Sequence, residues 1–264
     1  MLTLTGWQEG RAHRRTCIEM GASLRRAREG EERRLLPHAG RLGRGVGGLH
    51  RRQLVAGIVL MLALPGAASA AELHYGAHGH SVASLQRRLV ALGYLQAGGV
   101  DGVFGDQTWY AVVALQGWEQ IVRDGVVGPQ TRQTLRHAQA PQPWLRLRRA
   151  LEIDLTRQVL LVVAQGTVRR VVHASTGATL ATPQGRFTVT RRVRRSWSRP
   201  YHVWLPYALY FHDGFAIHAF PIVPDQPASH GCIRISLQDA AFVFQASPIG
   251  TPVLIRGANR VPAL

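Results

Sequence analysis

Cys232 stands in the segment Ser229-His230-Gly231-Cys232-Ile233-Arg234, and a second histidine lies upstream in Ala216-Ile217-His218. These residue types suit nucleophilic attack on a carbonyl. A thiol becomes a good nucleophile at neutral pH when a base takes its proton or a positive field lowers its pKa. Two imidazoles and a guanidinium supply candidates for both roles. The other cysteine, Cys17, precedes a segment that reads as a cleaved export signal, so the mature chain keeps Cys232 alone. A leftover cysteine in an exported protein either pairs with another chain or stays a reactive thiol. Metal ligation competes with this reading, because His212, Asp213, His218, His230 and Cys232 include zinc-ligand types. Their spacing matches no recognised zinc pattern. His74, His78 and His80 read as a solvated lead-in. The expectation is therefore no metal and no other cofactor.

The elements that must position these residues are mostly strands. Leu151–Leu155 alternates, Val159–Val163 is a continuous apolar run, and Val168–Val172 is β-branched around two arginines. Gln165-Gly166 between the last two is a hairpin signal. Phe187–Val193, His202–Leu205, Phe215–Ile217 and Val253–Ile255 continue the pattern. One helix is expected from Ser236, where Ser236-Leu237-Gln238-Asp239 resembles a capping box ahead of an apolar stretch.

A different region precedes this one. Val82, Leu85, Leu89 and Leu92 lie on one face of a helix, with Ser81 as the expected cap and Gly93 as the stop. The stretch Asp101-Gly102-Val103-Phe104-Gly105-Asp106-Gln107-Thr108 returns as Asp124-Gly125-Val126-Val127-Gly128-Pro129-Gln130-Thr131. Each copy reads as a glycine turn feeding a helix, capped by Asp106 in the first and opened by Pro129 in the second. The expected fold is multidomain: a small all-α unit of three helices, then a mostly β, sandwich-like domain with one main helix.

The 264-residue chain has a globular composition and a net charge of +17, all of its basic residues being arginine. Such a surface favours anionic partners. No nucleic-acid motif accompanies the charge, and nucleic acid is not expected as a partner. Arg51-Arg52, the apolar run Leu54–Leu64 and Ala68-Ser69-Ala70 form the three parts of a secretory signal. The run is shorter than the roughly 20 residues a spanning helix needs. The expected layout is an unstructured extension or over-long start at 1–50, a signal peptide at 51–70, the helical domain at 71–140, and a linker at 141–145. The β domain follows at 146–257, with a tail at 258–264. No stable membrane span is expected after signal cleavage, which places the mature protein in the periplasm or cell wall.

The helical stretch resembles the peptidoglycan-binding-1 module. The resemblance is carried by Leu85-Gln86, Leu92-Gly93-Tyr94, Val100 to Gly105, Thr108, Ala111-Val112 and Asp124 to Gly128. The β region resembles the YkuD-type L,D-transpeptidase catalytic domain. The matching residues there are His218 and Ser229-His230-Gly231-Cys232-Ile233-Arg234. Ser175-Thr176-Gly177, Thr182-Pro183, Gly185, Phe187, Leu205-Pro206-Tyr207 and Gly250-Thr251-Pro252-Val253 extend the match. One departure is Ala219, where the family usually has glycine after the histidine.

The resemblance implies a role in cell wall biogenesis. Cys232 would attack a tetrapeptide stem of peptidoglycan and form a thioester, with His218 moving the proton. A backbone carbonyl would orient the other nitrogen of His218. The amides of Gly231 and Cys232 become candidates for an oxyanion hole, with Ser229 and His230 shaping the pocket. Arg234 would bind a stem carboxylate. An amine from a second stem would resolve the thioester into a 3→3 cross-link. Water as acceptor would make a carboxypeptidase, and a non-catalytic wall-binding protein is the other alternative. Carbapenem-type β-lactams are the expected inhibitors.

Overall fold

The computed structural model describes residues 72–178 and 181–258. The extension and signal expected at 1–50 and 51–70 lie outside the described residues. Among those described, no helix is long and apolar enough to cross a membrane.

Three helices come first: α1 (His80–Ala91), α2 (Asp106–Trp118) and α3 (Pro129–His137). Two expected caps are corrected. Gly79 rather than Ser81 precedes α1, and Asp106 is the first residue inside α2, with Gly105 at its cap. Pro129 opens α3 as expected, because its missing N–H needs no partner there. The duplicated turns have one physical basis. The fully buried Gln86 donates to Asp101 Oδ1, Val103 O and Thr108 Oγ1 and accepts from Gly102 N–H. Gln116 repeats the pattern with Asp124 Oδ1, Val126 O, Thr131 Oγ1 and Gly125 N–H. A buried amide costs free energy unless its bonds are made, and here each turn is shaped to make them.

The β domain is a pair of sheets. One has five strands in the order β3 (Thr167–His173), β2 (Val159–Ala164), β1 (Arg149–Asp154), β9 (Pro252–Arg256), β4 (Gly185–Thr188). The other has four, in the order β5 (Arg191–Ser198), β6 (Val203–His212), β7 (Phe215–Ala219), β8 (Ile233–Ile235). The helix α4 (Leu237–Ala246) follows β8, and Ser236 caps it through the Asp239 amide. Leu151, Ile153, Leu160, Val162, Leu209, Ile217, Ile233 and Ile255 fill the space between the sheets. The stretch expected as one strand, Phe187–Val193, is two strands belonging to different sheets. The arginines of β5 lie over cross-strand aromatics, Arg191 on Tyr210 and Arg195 on Trp204.

The helices pack on the outer face of the five-stranded sheet. Val159, Leu161 and Val171 belong to the same buried cluster as Leu89, Val112 and Leu115. Gly117 permits the approach of α2, since a Cβ there would meet Arg157 O at 2.4 Å. Val171 N–H donates to Gly93 O across the junction. The segment expected as a linker, 141–145, is pinned at its end, where the amides of Trp144 and Leu145 donate to buried Glu152.

Candidate active site

The strands β7 and β8 run parallel, with Ile217 opposite Ile233, His218 opposite Arg234, and Ala219 opposite Ile235. Parallel neighbours need a long crossover, and here it is the loop 220–232 rather than a helix. Side chains alternate across a sheet. Ile217, Ala219, Ile233 and Ile235 therefore enter the core. Ala216, His218, Cys232 and Arg234 take the opposite, outer face, where Ala216 and Cys232 join Ala208 and Tyr210 in a smaller apolar cluster. His218 and Cys232, distant in sequence, share one face of the sheet because Cys232 lies two residues before the partner of His218.

His218 is buried, and its Nδ1 lies 2.8 Å from Ala219 O. A carbonyl only accepts, so Nδ1 carries the hydrogen. Burial pushes the imidazole pKa down to about 4, helped by the Arg234 charge and opposed by the Ala219 bond. The ring is then neutral near pH 7, with the Nε2 lone pair available to accept a proton. Burial also raises the pKa of the Cys232 thiol, against a hydrogen bond from the Ala216 backbone and the charge of Arg234. The resting pair is thus a neutral thiol and a neutral imidazole, an arrangement suited to general-base activation.

The loop ahead of Cys232 is held by its own side chains. Ser229 Oγ donates to Cys232 O at 2.5 Å and accepts from Gly231 N–H at 3.0 Å. Thr182 Oγ1 donates to Gly231 O at 2.8 Å and accepts from Gly177 N–H. Gly231 has φ 120, and a Cβ there would meet the Phe215 ring at 2.4 Å. Glycine is required on both counts. The expectation that the Gly231 amide serves an oxyanion hole is corrected for this conformation, because that N–H is already bonded to Ser229. The Cys232 amide remains the candidate.

Arg234 lies with its guanidinium 4.0 Å from the Phe220 ring centroid, and its Nη1 donates to Ala228 O. It braces the loop while facing the same side as Cys232. His230 is exposed and stacks on Tyr201 of the β5–β6 turn at 4.4 Å between centroids. It is a surface packing partner of the hairpin. His212 sits at the β6–β7 turn beside Asp213. Among the described residues, no three His, Cys, Asp or Glu side chains converge as metal ligands.

Other residues position the site without a role foreseen from sequence. Ser175 exchanges backbone hydrogen bonds with Arg234, and Thr176 O accepts from Ala228 and Ser229. Behind them, buried Gln158 bonds Thr176 through both its side-chain oxygen and nitrogen. The Ser175-Thr176-Gly177 motif is thus a bracket between β2 and the Cys232 loop. Ala219 lies in extended backbone and is absent from the positive-φ residues, so alanine in place of glycine brings no backbone strain.

Residues 148–255 fit the L,D-transpeptidase catalytic domain model, YkuD, and residues 78–135 fit a peptidoglycan binding domain model. A crystal structure of an L,D-transpeptidase from Xylanimonas cellulosilytica is 35% identical. It covers 71% of this chain, 98% of that chain is covered, and the TM-score is 0.68. An L,D-transpeptidase from Stackebrandtia nassauensis is 24% identical over 75% of this chain and 100% of its own, with a TM-score of 0.47. Among curated sequences, the N-acetylmuramoyl-L-alanine amidase CwlL of Bacillus licheniformis is 44% identical over 64 residues, which is 24% of this chain. The chain spans about a fifth of the length of the curated relatives it matches, 20% and 18%. With a fold and a sequence shared along 98% of the crystallised Xylanimonas chain, which is residues 123–326 of that protein, this chain belongs to the L,D-transpeptidase family.

Proposed function

We propose that the protein is an exported L,D-transpeptidase of peptidoglycan with Cys232 as its nucleophile and His218 as its base. The observation that carries this reading is the pairing of β7 with β8. It sets both side chains on one outer face, with the acceptor nitrogen of His218 selected by Ala219 O. His218 Nε2 takes the thiol proton as Sγ attacks the carbonyl of an L-centre diamino acid in a tetrapeptide stem. The C–N bond to the terminal D-Ala breaks, and the proton leaves with the new amine. A thioester remains on Cys232. A side-chain amine of a second stem then attacks it, gives its proton to His218, and expels the thiol as a 3→3 amide forms. No nucleotide is needed, because the thioester conserves the energy of the cleaved bond.

Arg234 faces the same side, and one of its terminal nitrogens is bonded to Ala228 O; the rest of the fork is our candidate for a stem carboxylate. The export signal read at 51–70 delivers the chain to the periplasm or wall, and the helical module supplies affinity for peptidoglycan. Carbapenem-type β-lactams, which present a strained carbonyl to the thiol, act as inhibitors.

The test is incubation of the mature protein with tetrapeptide-stem fragments, with products identified by mass spectrometry. Dimers joined 3→3 are expected, together with a covalent adduct on Cys232. Tripeptide alone would assign water as the acceptor and a carboxypeptidase. Unchanged substrate and no adduct would leave a wall-binding protein.

A further inference from the structure

The crossover loop 220–228, which joins His218 to the Cys232 segment, contains Pro221, Pro224 and Pro227 and so has few amides of its own to bond. Several of its backbone groups are held from outside. Pro224 O accepts from His173 Nε2 at 2.8 Å, and Gln226 O accepts from Ser175 Oγ at 2.7 Å. The Val223 amide, in a residue 1% exposed, donates to Tyr110 Oη at 3.3 Å. Tyr110 belongs to α2 of the helical module. Its ring stacks on His173 with centroids 5.9 Å apart and planes 16° apart, and Trp109 closes edge-on against both. A carbonyl can only accept, so His173 Nε2 carries the hydrogen, and burial keeps the ring neutral. The module also sets Arg123 opposite Asp225 of the same loop, near enough for their charges to interact.

The loop is therefore suspended between two supports. The end of strand β3 and Ser175 just after it hold its carbonyls, and α2 holds its Val223 amide and the imidazole that makes one of those bonds. We infer that Tyr110 is a positioning residue for the Cys232 loop, and that the helical module is part of the catalytic unit as well as a means of reaching the wall. The inference rests on the reading that Cys232 is acylated. Displacement of Tyr110 frees Val223 and releases His173 from its stack. The loop then loses the register that presents Cys232 to a carbonyl, while the thiol stays chemically intact.

The experiment uses the full chain with Tyr110→Phe, which removes only the hydroxyl, and Tyr110→Ala, which also removes the stack. The second-order rate of Cys232 acylation by a carbapenem is measured by mass spectrometry. Alkylation of the same thiol by iodoacetamide, which needs no positioned carbonyl, serves as the reference. Exchange of the Val223 amide is followed in parallel. A bond at the long end of the hydrogen-bond range predicts a two- to five-fold slower acylation for Tyr110→Phe. Tyr110→Ala should slow it by about ten-fold or more, since small misplacements of reacting groups are costly. Alkylation should change little, and the Val223 amide should exchange faster in both variants. Wild-type acylation in both variants would overturn the inference. So would equal slowing of both reagents with a lowered melting temperature, which marks a structural role alone. If even the wild type is not acylated, the proposed function fails, and Val223 exchange still decides whether Tyr110 holds the loop.

Discussion

The two sheets of this sandwich share a core and differ in what lies on their outer faces. The five-stranded sheet turns Val159, Leu161 and Val171 outward, and the helical module covers them, chiefly through α2. The four-stranded sheet turns His218, Cys232 and Arg234 outward, and the helix that packs on it among the described residues, α4, lies on its core side. The first face is apolar because it is buried, and β2 accordingly reads as an uninterrupted apolar run. The second alternates, with isoleucines inward and reactive groups outward. One face contributes stability and the other carries the proposed chemistry, so substitutions on the two should have separable effects.

The largest effect is expected at Cys232. Cys232→Ala should abolish adduct formation and transfer while the protein melts close to the wild-type temperature, because the thiol belongs to the smaller outer cluster. Measurable turnover in that variant would falsify the nucleophile assignment. His218→Ala should come next, slowing acylation by about 100- to 10,000-fold, the usual reach of a general base.

The sign of the pH response follows from the environment of His218. Burial lowers its pKa from 6.5 to about 4. A protonated ring cannot accept the thiol proton. Acylation should therefore hold from pH 7 down to 5 and fall only as pH drops through about 4. The same depression makes protonation favour the unfolded chain, so the contribution of His218 to stability is present above 6.5 and is lost on the way down to about 4. Nuclear magnetic resonance titration of the imidazole alongside acylation rates checks both points. A break in rate at 6.5 would show that the ring is solvated.

Gly231 tests the site's backbone. Gly231→Ala meets both a left-handed φ and the Phe215 ring, so the loop must move. A displacement of about 1 Å predicts roughly 100-fold slower acylation. A rate within two-fold of wild type would mean that the loop reaches Cys232 by another path.

How much of this was legible in the sequence depended on whether a signal was local. The residue types at Cys232 and His218, the Ser236 cap and the repeated turns are all encoded over a few positions. Their convergence is not, because it needs the register of β7 on β8. The start of α1 is not legible, because its cap, Gly79, has no side chain to mark it. The packing of the helices on the sheet has two signals in the sequence. The run Val159–Val163 has no polar face, and α2 buries residues almost all round from Thr108 to Gly117. A helix with no wet side is covered on more than one side. Tyr110 and His173 had no sequence signal, since each matters only through a loop brought close by the fold.

On the covered sheet, Leu161→Ala should cost about 2–5 kcal/mol, as buried leucine truncations do. On the open sheet, half-buried Val203→Ala should cost less than about 1.5 kcal/mol. Thermal or urea unfolding measures both. Equal losses would mean that the helices contribute little to holding the first sheet.

The smallest effect is expected at Ala219, where the family usually has glycine. A glycine is needed at a positive φ or at a close approach, and Ala219 offers neither: it ends β7 in extended backbone with its methyl group in the core, 1% exposed. Ala219→Gly removes one buried methyl, worth about 0.8 kcal/mol, and frees a strand backbone, at about 0.5–1 kcal/mol. Unfolding should therefore show a loss of about 1–2 kcal/mol. The carbonyl that orients His218 belongs to the backbone and survives the change, so acylation should stay within about two-fold of wild type. The decisive measurement is the acylation rate, with stability read separately. A several-fold increase would show that alanine holds His218 away from its best position, and the extended geometry assigned to residue 219 would have to be abandoned.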